Sequence, residues 1–191
     1  MAEIVPTILA TTPGEYHDRL EKLIPHTKRI HVDICDGVFA PTKTINLAQV
    51  YVPEDVALDL HLMVKDPLSH LESALALKPN LVIVHAEADG DHAKCIEEIQ
   101  SFGVDAGVAY LPESQPDNLL QQADHALIFT GKLGHYGGVM DKAQLPKIEA
   151  ARAINPDLEV SIDGGVAPEN VGELNADVLY VGSAYLSMVG E

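Results

Sequence analysis

The sequence predicts a (β/α)8 barrel of the TIM type, one compact α/β domain spanning residues 1–191. Three observations predict it. Short apolar runs and amphipathic stretches alternate along the whole chain, and eight such runs can be counted. The runs are rich in Val, Ile and Leu with little alternation, as expected of parallel strands covered on both faces. No run leads into G-x-G-x-x-G or a P-loop pattern, so the open doubly wound sheet is only the runner-up. A length of 191 residues suits one domain, and 47% apolar residues supply a sizeable core.

The strand candidates are residues 4–9, 29–33, 57–63, 81–85, 105–109, 126–130, 159–162 and 178–181. Each is short and apolar and is bounded by polar, Gly or Pro residues. Between them the helix candidates are residues 16–23, 68–77, 92–102, 117–122, 143–153 and 168–174, with apolar residues at helical spacing. Pro67, Pro146 and Pro168 stand near first turns, where a missing N–H costs nothing. The second helical segment, within 46–55, contains Pro53 and is barely one helix long; the eighth, 183–191, is equally short. Two thin places in the ring expose apolar surface, which leads us to expect a homo-oligomer.

Charge narrows the function. Twelve Lys and Arg against 29 Asp and Glu give −17. That balance speaks against nucleic acid, whose phosphates require a basic patch, and against an anionic membrane surface. An anionic small molecule would need local backbone N–H groups, helix N-termini or a metal. Two cysteines, Cys35 and Cys95, make neither a disulfide framework nor a four-thiolate zinc site, and point to a reducing cytoplasm. The first residues carry no signal-peptide pattern, and no stretch approaches the roughly 20 apolar residues of a membrane span.

In such a barrel the active site lies at the C-terminal ends of the strands. The second strand brings His31 and Asp33, two apart and so on one side; taken alone they fit a hydrogen-bonded pair as well as two metal ligands. His61 sits among apolar residues on the neighbouring third strand, where a satisfied core histidine is the commoner case. Asp163 leaves the seventh strand directly into Gly164-Gly165, opposite the second strand. Gly164-Gly165 with a helix start at Pro168, and Gly182-Ser183 opening another helix, suggest a phosphate cradle. Two His and two Asp together make a neutral site for one dication. Two opposed carboxylates beside a Lewis acid suit removal of a proton from one face of a carbon and delivery to the other. That is epimerisation next to a carbonyl, through an enediolate.

The chain resembles the ribulose-phosphate 3-epimerase family. The resemblance runs from Pro6-Thr7-Ile8-Leu9 to Gly182-Ser183-Ala184, through His31-Val32-Asp33-Ile34-Cys35-Asp36-Gly37 and Leu58-Asp59-Leu60-His61-Leu62-Met63-Val64. Val84-His85-Ala86-Glu87-Ala88 and Ile162-Asp163-Gly164-Gly165-Val166 follow in the same order and spacing. It implies a barrel that interconverts ribulose 5-phosphate and xylulose 5-phosphate. It implies one divalent ion (Zn, Fe, Mn or Co) on His31, Asp33, His61 and Asp163, with Asp33 and Asp163 as the acid/base pair. It further implies sugar contacts from Thr7, His61 and Met63, and phosphate loops at Gly137-Gly138, Gly164-Gly165 and Gly182-Ser183.

Departures from the family pattern bear on the substrate. Thr7 stands for the usual Ser, and Cys35 and Phe129 for methionines over the metal. The loop after the sixth strand reads Leu133-Gly134-His135-Tyr136-Gly137-Gly138-Val139, one residue longer than the family's Pro-Gly-Phe-Gly-Gly-Gln pattern. The alternatives are therefore an epimerase of another ketose phosphate, such as a hexulose 6-phosphate, and a barrel that binds a sugar phosphate without turning it over. A metal-dependent hydrolase would need no opposed acids. His85 reads as a structural hydrogen-bonding residue, His135 as loop filling, Cys35 and Cys95 as packing, and Lys132 as either an anion contact or a solvated lysine.

Overall fold

The computed structural model describes residues 2–190. Eight parallel strands close a barrel in chain order: β1 Glu3–Ile8, β2 Arg29–Cys35, β3 Ala57–Met63, β4 Leu81–His85, β5 Asp105–Tyr110, β6 His125–Phe129, β7 Glu159–Asp163 and β8 Val178–Val181. β8 returns to pair with β1, so no strand edge is left open. The pleat sorts the side chains. Ile30, Val32, Leu60, Val82, Val84, Val108, Ile128 and Ile162 point outward into the layer beneath the helices. His31, Asp33, Asp59, His61, His85, His125, Ser161 and Asp163 alternate with them, and all but Asp163 are buried. Val5, Leu81, Ile83, Ala109, Leu127, Phe129, Val178 and Tyr180 form a separate cluster that fills the rest of the barrel.

Among the described residues, four helices of eight residues or more form most of the outer ring. α1 Pro13–Leu23 starts where Thr12 Oγ1 accepts the Glu15 N–H, with Pro13 in its first turn, and buries Tyr16, Leu20 and Leu23. Each such side chain adds roughly 1.5–3 kcal/mol by leaving water. α2 Leu68–Leu75 follows Pro67, and α3 His92–Ser101 is capped by Asp91 and buries Cys95, Ile96 and Ile99. α4 Pro146–Ile154 opens on its own proline. The second segment is a single 3-10 turn, Leu47–Gln49, and the eighth is the four-residue α5, Tyr185–Met188, both short as expected. Tyr51 and Val189 stand exposed beside these two places.

Two expected helices are absent. Residues 117–122 hold only the 3-10 turn Asn118–Gln121, and 168–174 only Val171–Glu173. Local side-chain bonds compete with the helix in each. Asp117 accepts the Leu119 N–H, and the Lys147 ammonium pins the preceding chain through the Leu111 and Pro112 carbonyls. Asn170 ties Ala167 N–H and the Gly165 carbonyl into a closed turn.

Ions plug the bottom of the barrel. Arg29 donates to Asp59 at 2.7 Å, to Glu159 at 2.8 and 3.1 Å, and to Glu3 at 3.0 Å. Tyr180 Oη–H reaches the same Asp59 oxygen at 2.8 Å. His125 donates to Glu159 and faces Ser161 Oγ. Burial works to raise the Glu159 pKa, but the bonds from His125 and Arg29 bring it down to about 2. A carboxylate with a depressed folded pKa stabilises the fold above its unfolded value near 4.5 and loses that contribution as pH falls toward 2. Glu159→Gln is therefore expected to be less stable than wild type at pH 7. The difference should shrink between pH 4.5 and 2 in urea titrations; a constant difference across that window would refute the assignment.

Candidate active site

The C-terminal ends of β2, β3 and β7 bring four ligand-type atoms together. One atom each from His31, Asp33, His61 and Asp163 lies within 4.8 Å of the others. Asp33 Oδ1 is 3.1 Å from His31 Nε2 and 3.0 Å from His61 Nδ1. The two imidazole nitrogens are 3.4 Å apart, and His61 Nδ1 is 3.7 Å from Asp163 Oδ2. Strand register makes this possible: Asp33 pairs with His61 across β2 and β3, while Asp163 closes β7 on the facing wall.

Burial and charge set the protonation. Burial, aided by the Asp33 charge, raises the Asp163 pKa to about 7. Burial would also raise Asp33, but the hydrogen bond from His31 and the adjoining His61 ring hold it well below the usual carboxylate range. Burial lowers the His61 pKa to about 4 despite Asp33, so this ring is neutral near pH 7. Burial also works against a charge on His31, yet Asp33, Asp163 and Asp59 raise its pKa. Two carboxyl groups in one pocket are thus pushed apart, one toward the anion and one toward the acid.

The donor set fits a divalent ion. Two imidazoles and two carboxylates are borderline ligands that accept zinc, iron, manganese or cobalt. They converge on one point at the barrel mouth, where a dication would satisfy the carboxylate and imidazole lone pairs brought this close. The cluster is one that can hold a metal.

A recess of about 650 Å³, open to solvent, lies above it. Thr7, Asp33, Met63, Gly137, Gly138, Asp163, Gly164, Gly165, Gly182 and Ser183 line it, whereas His31 and His61 lie fully buried behind that lining. Thr7 Oγ1 is buried and has no hydrogen-bond partner. Gly164 and Gly165 adopt φ of +112° and +71°, and a Cβ on either would strike backbone atoms of Gly131 or Met140 at 2.1–2.2 Å. Only glycine fits there, and both glycines line the recess. The helix start expected at Pro168 is a 3-10 turn and α5 is one turn long, so neither presents a full helix N-terminus to the recess.

Sequence reasoning missed Tyr136 and Tyr180. Both line the recess. Tyr136 packs against Gly182 and stacks beneath the Arg19 guanidinium at 3.9 Å, while Thr42 Oγ–H donates to the Gly134 carbonyl at 2.5 Å. The 133–139 loop is thereby fastened across the mouth. A Tyr between glycines was the available signal, but its partners are far away in sequence. Lys132 and His135 also line the recess, and His135 Nδ1 bonds to the Leu133 carbonyl at 2.9 Å. Cys35 packs with Met63, its sulfur 3.9 Å from the thioether.

A (β/α)8 barrel with a His/Asp cluster at the C-terminal ends of its strands and glycine loops at its rim is an architecture that often holds a phosphorylated substrate at that face. The model of the ribulose-phosphate 3 epimerase family matches residues 3–186, and the chain belongs to that family. It is similar to the ribulose-phosphate 3-epimerases of Schizosaccharomyces pombe (28% identity, covering 96% of this chain and 86% of that one) and Bacillus subtilis (31%, 81% and 78%). The chloroplastic Arabidopsis thaliana enzyme is 34% identical over 81% of this chain and 60% of its own. Among solved structures, a 3-keto-L-gulonate-6-phosphate decarboxylase from Vibrio cholerae superposes with a TM-score of 0.72 at 12% identity, covering 96% of this chain and 89% of that one; it shares the fold. The chain is thus an isomerase of the carbohydrate-epimerase kind, acting on a ketose phosphate. No helix among the described residues is long and apolar enough to cross a membrane.

Proposed function

We propose that the chain inverts carbon 3 of D-ribulose 5-phosphate to give D-xylulose 5-phosphate, with one divalent ion on His31, Asp33, His61 and Asp163. The observation that carries this reading is the pair of carboxylates on facing walls, Asp33 from β2 and Asp163 from β7, joined by two histidines within 4.8 Å. A bound dication would supply charge stabilisation for the oxygens of the enediolate. Asp33, held ionised, is suited to accept the carbon-bound proton. Asp163, on the facing wall, is placed to deliver one from the opposite side. The roles exchange for the reverse reaction. Thr7 Oγ1, buried and unpartnered, is placed to bond a sugar hydroxyl, and Met63 supplies an apolar wall. An epimerase assay with metal content measured on the same sample tests the whole reading. Turnover that fails to follow metal content, or no epimerisation at all, would sink it.

The phosphate reading gives a separate expectation. A net charge of −17 repels an anion at long range, so binding rests on N–H groups near Gly137-Gly138, Gly164-Gly165 and Gly182-Ser183. A unit charge 4 Å from the phosphate costs about 4 kcal/mol at an effective dielectric of 20. Ser183→Asp should therefore raise KM by at least roughly 10²-fold for the phosphorylated ketose and change little for the dephosphorylated one. Equal effects on both would place the phosphate elsewhere.

The fastened 133–139 loop, which departs from the family pattern, favours a second reading in which the preferred ketose phosphate has six carbons. Comparing kcat/KM for ribulose 5-phosphate and for hexulose 6-phosphates decides between them.

A further inference from the structure

Behind the cluster, outside the four proposed ligands, a second histidine backs His61. His85 closes β4 and is fully buried. Its Nε2 lies 2.8 Å from His61 Nε2, and the two rings meet edge to edge, with centroids 4.9 Å apart and planes at 26°. Its Nδ1 lies 3.4 Å from Glu87 Oε2, while Glu87 Oε1 accepts the Leu111 N–H at 2.9 Å. The His85 carbonyl in turn accepts from His92 Nε2 at 3.0 Å. Both ring nitrogens of His85 thus face defined partners.

Acceptor chemistry assigns the protons. Burial works to raise the Glu87 pKa, but bonds from His85, Ser114 and the Leu111 amide bring it to about 2, so it is a carboxylate that can only accept. His85 Nδ1 is then placed as the donor to Glu87, which leaves its Nε2 as the acceptor. His61 Nε2, 2.8 Å away, must be the donor. What remains is a lone pair on His61 Nδ1, facing Asp33 Oδ1 at 3.0 Å and Asp163 Oδ2 at 3.7 Å. Three electron-rich atoms are aimed at one another, which suits a cation among them.

We propose that His85 and Glu87 form a positioning relay that fixes the tautomer and ring plane of His61, presenting Nδ1 as the metal-ligating atom. The inference rests on the metal reading above. It goes beyond that reading in assigning a supporting role to two residues that need touch neither metal nor substrate. Outer partners of this kind raise ligand basicity and hold the ring in place, and losing one typically costs 10–100-fold in metal affinity.

The test uses the full chain, stripped of metal and titrated with Co²⁺ alone against a chromogenic chelator, with the cobalt d–d spectrum recorded. His85→Leu removes the acceptor and should weaken Co²⁺ binding 10–100-fold and shift the d–d bands. His85→Gln should recover most of the affinity, because its amide oxygen accepts from His61 and its NH2 donates to Glu87. Glu87→Gln keeps the shape but frees the tautomer, and should fall between the two. Wild-type affinity and spectrum in folded His85→Leu would overturn the relay while leaving the metal site standing. Should His85→Leu not fold, unchanged affinity and spectrum in Glu87→Gln would overturn it instead. A wild-type chain that takes up no Co²⁺ would remove the metal reading itself, and the relay with it.

Discussion

His61→Ala is expected to empty the metal site. The side chain is fully buried, and its Nδ1 lies within 4 Å of Asp33, His31 and Asp163 at once. His85 stands directly behind it, but its Nε2 points at the vacated imidazole from 2.8 Å and cannot cross that gap without breaking from Glu87. Affinity should therefore fall by more than the roughly 10–100-fold that a lost supporting contact costs. A second readout guards against mere misfolding. A ligand that binds only the folded state stabilises it, by about 2.7 kcal/mol at 100 times its Kd. Adding Zn²⁺ or Mn²⁺ to metal-free wild type should raise its Tm, whereas folded His61→Ala should show no such rise. Full metal occupancy in that variant, or an equal rise in Tm, would show that His61 is not a ligand.

How much of this was legible in the sequence differs from element to element. The strands were, because their outward positions are Val, Ile and Leu in every repeat. The convergence of His31, Asp33, His61 and Asp163 was legible too, since strand parity puts i and i+2 on one face and the barrel fixes which ends meet. The helical ring was less so. Residues 117–122 and 168–174 have the composition of helices, but Asp117 and Asn170 bond to backbone two to five residues away and hold turns instead. His85 was read as a structural histidine, which a lone histidine at a strand end usually is. Only the fold places its ring on His61 and its other nitrogen on Glu87. The Tyr136 contacts depend on Arg19 and Gly182, from opposite ends of the chain, and no local pattern encodes them. The interior charges at Arg29, Asp59 and Glu159 were missed for the same reason: their partners lie 30 and 130 residues apart.

Asp163→Asn is expected to abolish epimerisation while still allowing proton exchange from one side of the substrate. The amide keeps an oxygen that can face the metal position, but it cannot carry a proton, so the variant separates coordination from acid/base work. Removing a positioned acid or base typically costs 10²–10⁴-fold in rate. Here the whole inversion should be lost, because among the described residues the only other carboxyl group lining the recess, Asp33, stands on the opposite wall. Asp33 keeps its bond to His31 and its place beside His61 and remains ionised, so it should still remove and return the carbon-3 proton of one epimer. In D2O that epimer should gain deuterium at carbon 3 without forming the other. Asp33→Asn should give the mirror result, with exchange from the opposite epimer. Its defect should be larger in metal affinity, because Asp33 Oδ1 touches both imidazoles whereas Asp163 is 3.7 Å from one. Exchange from the same epimer in both variants would mean that one carboxylate serves both faces. Near-normal epimerase activity in either would show that the inversion does not need two acids in this chain.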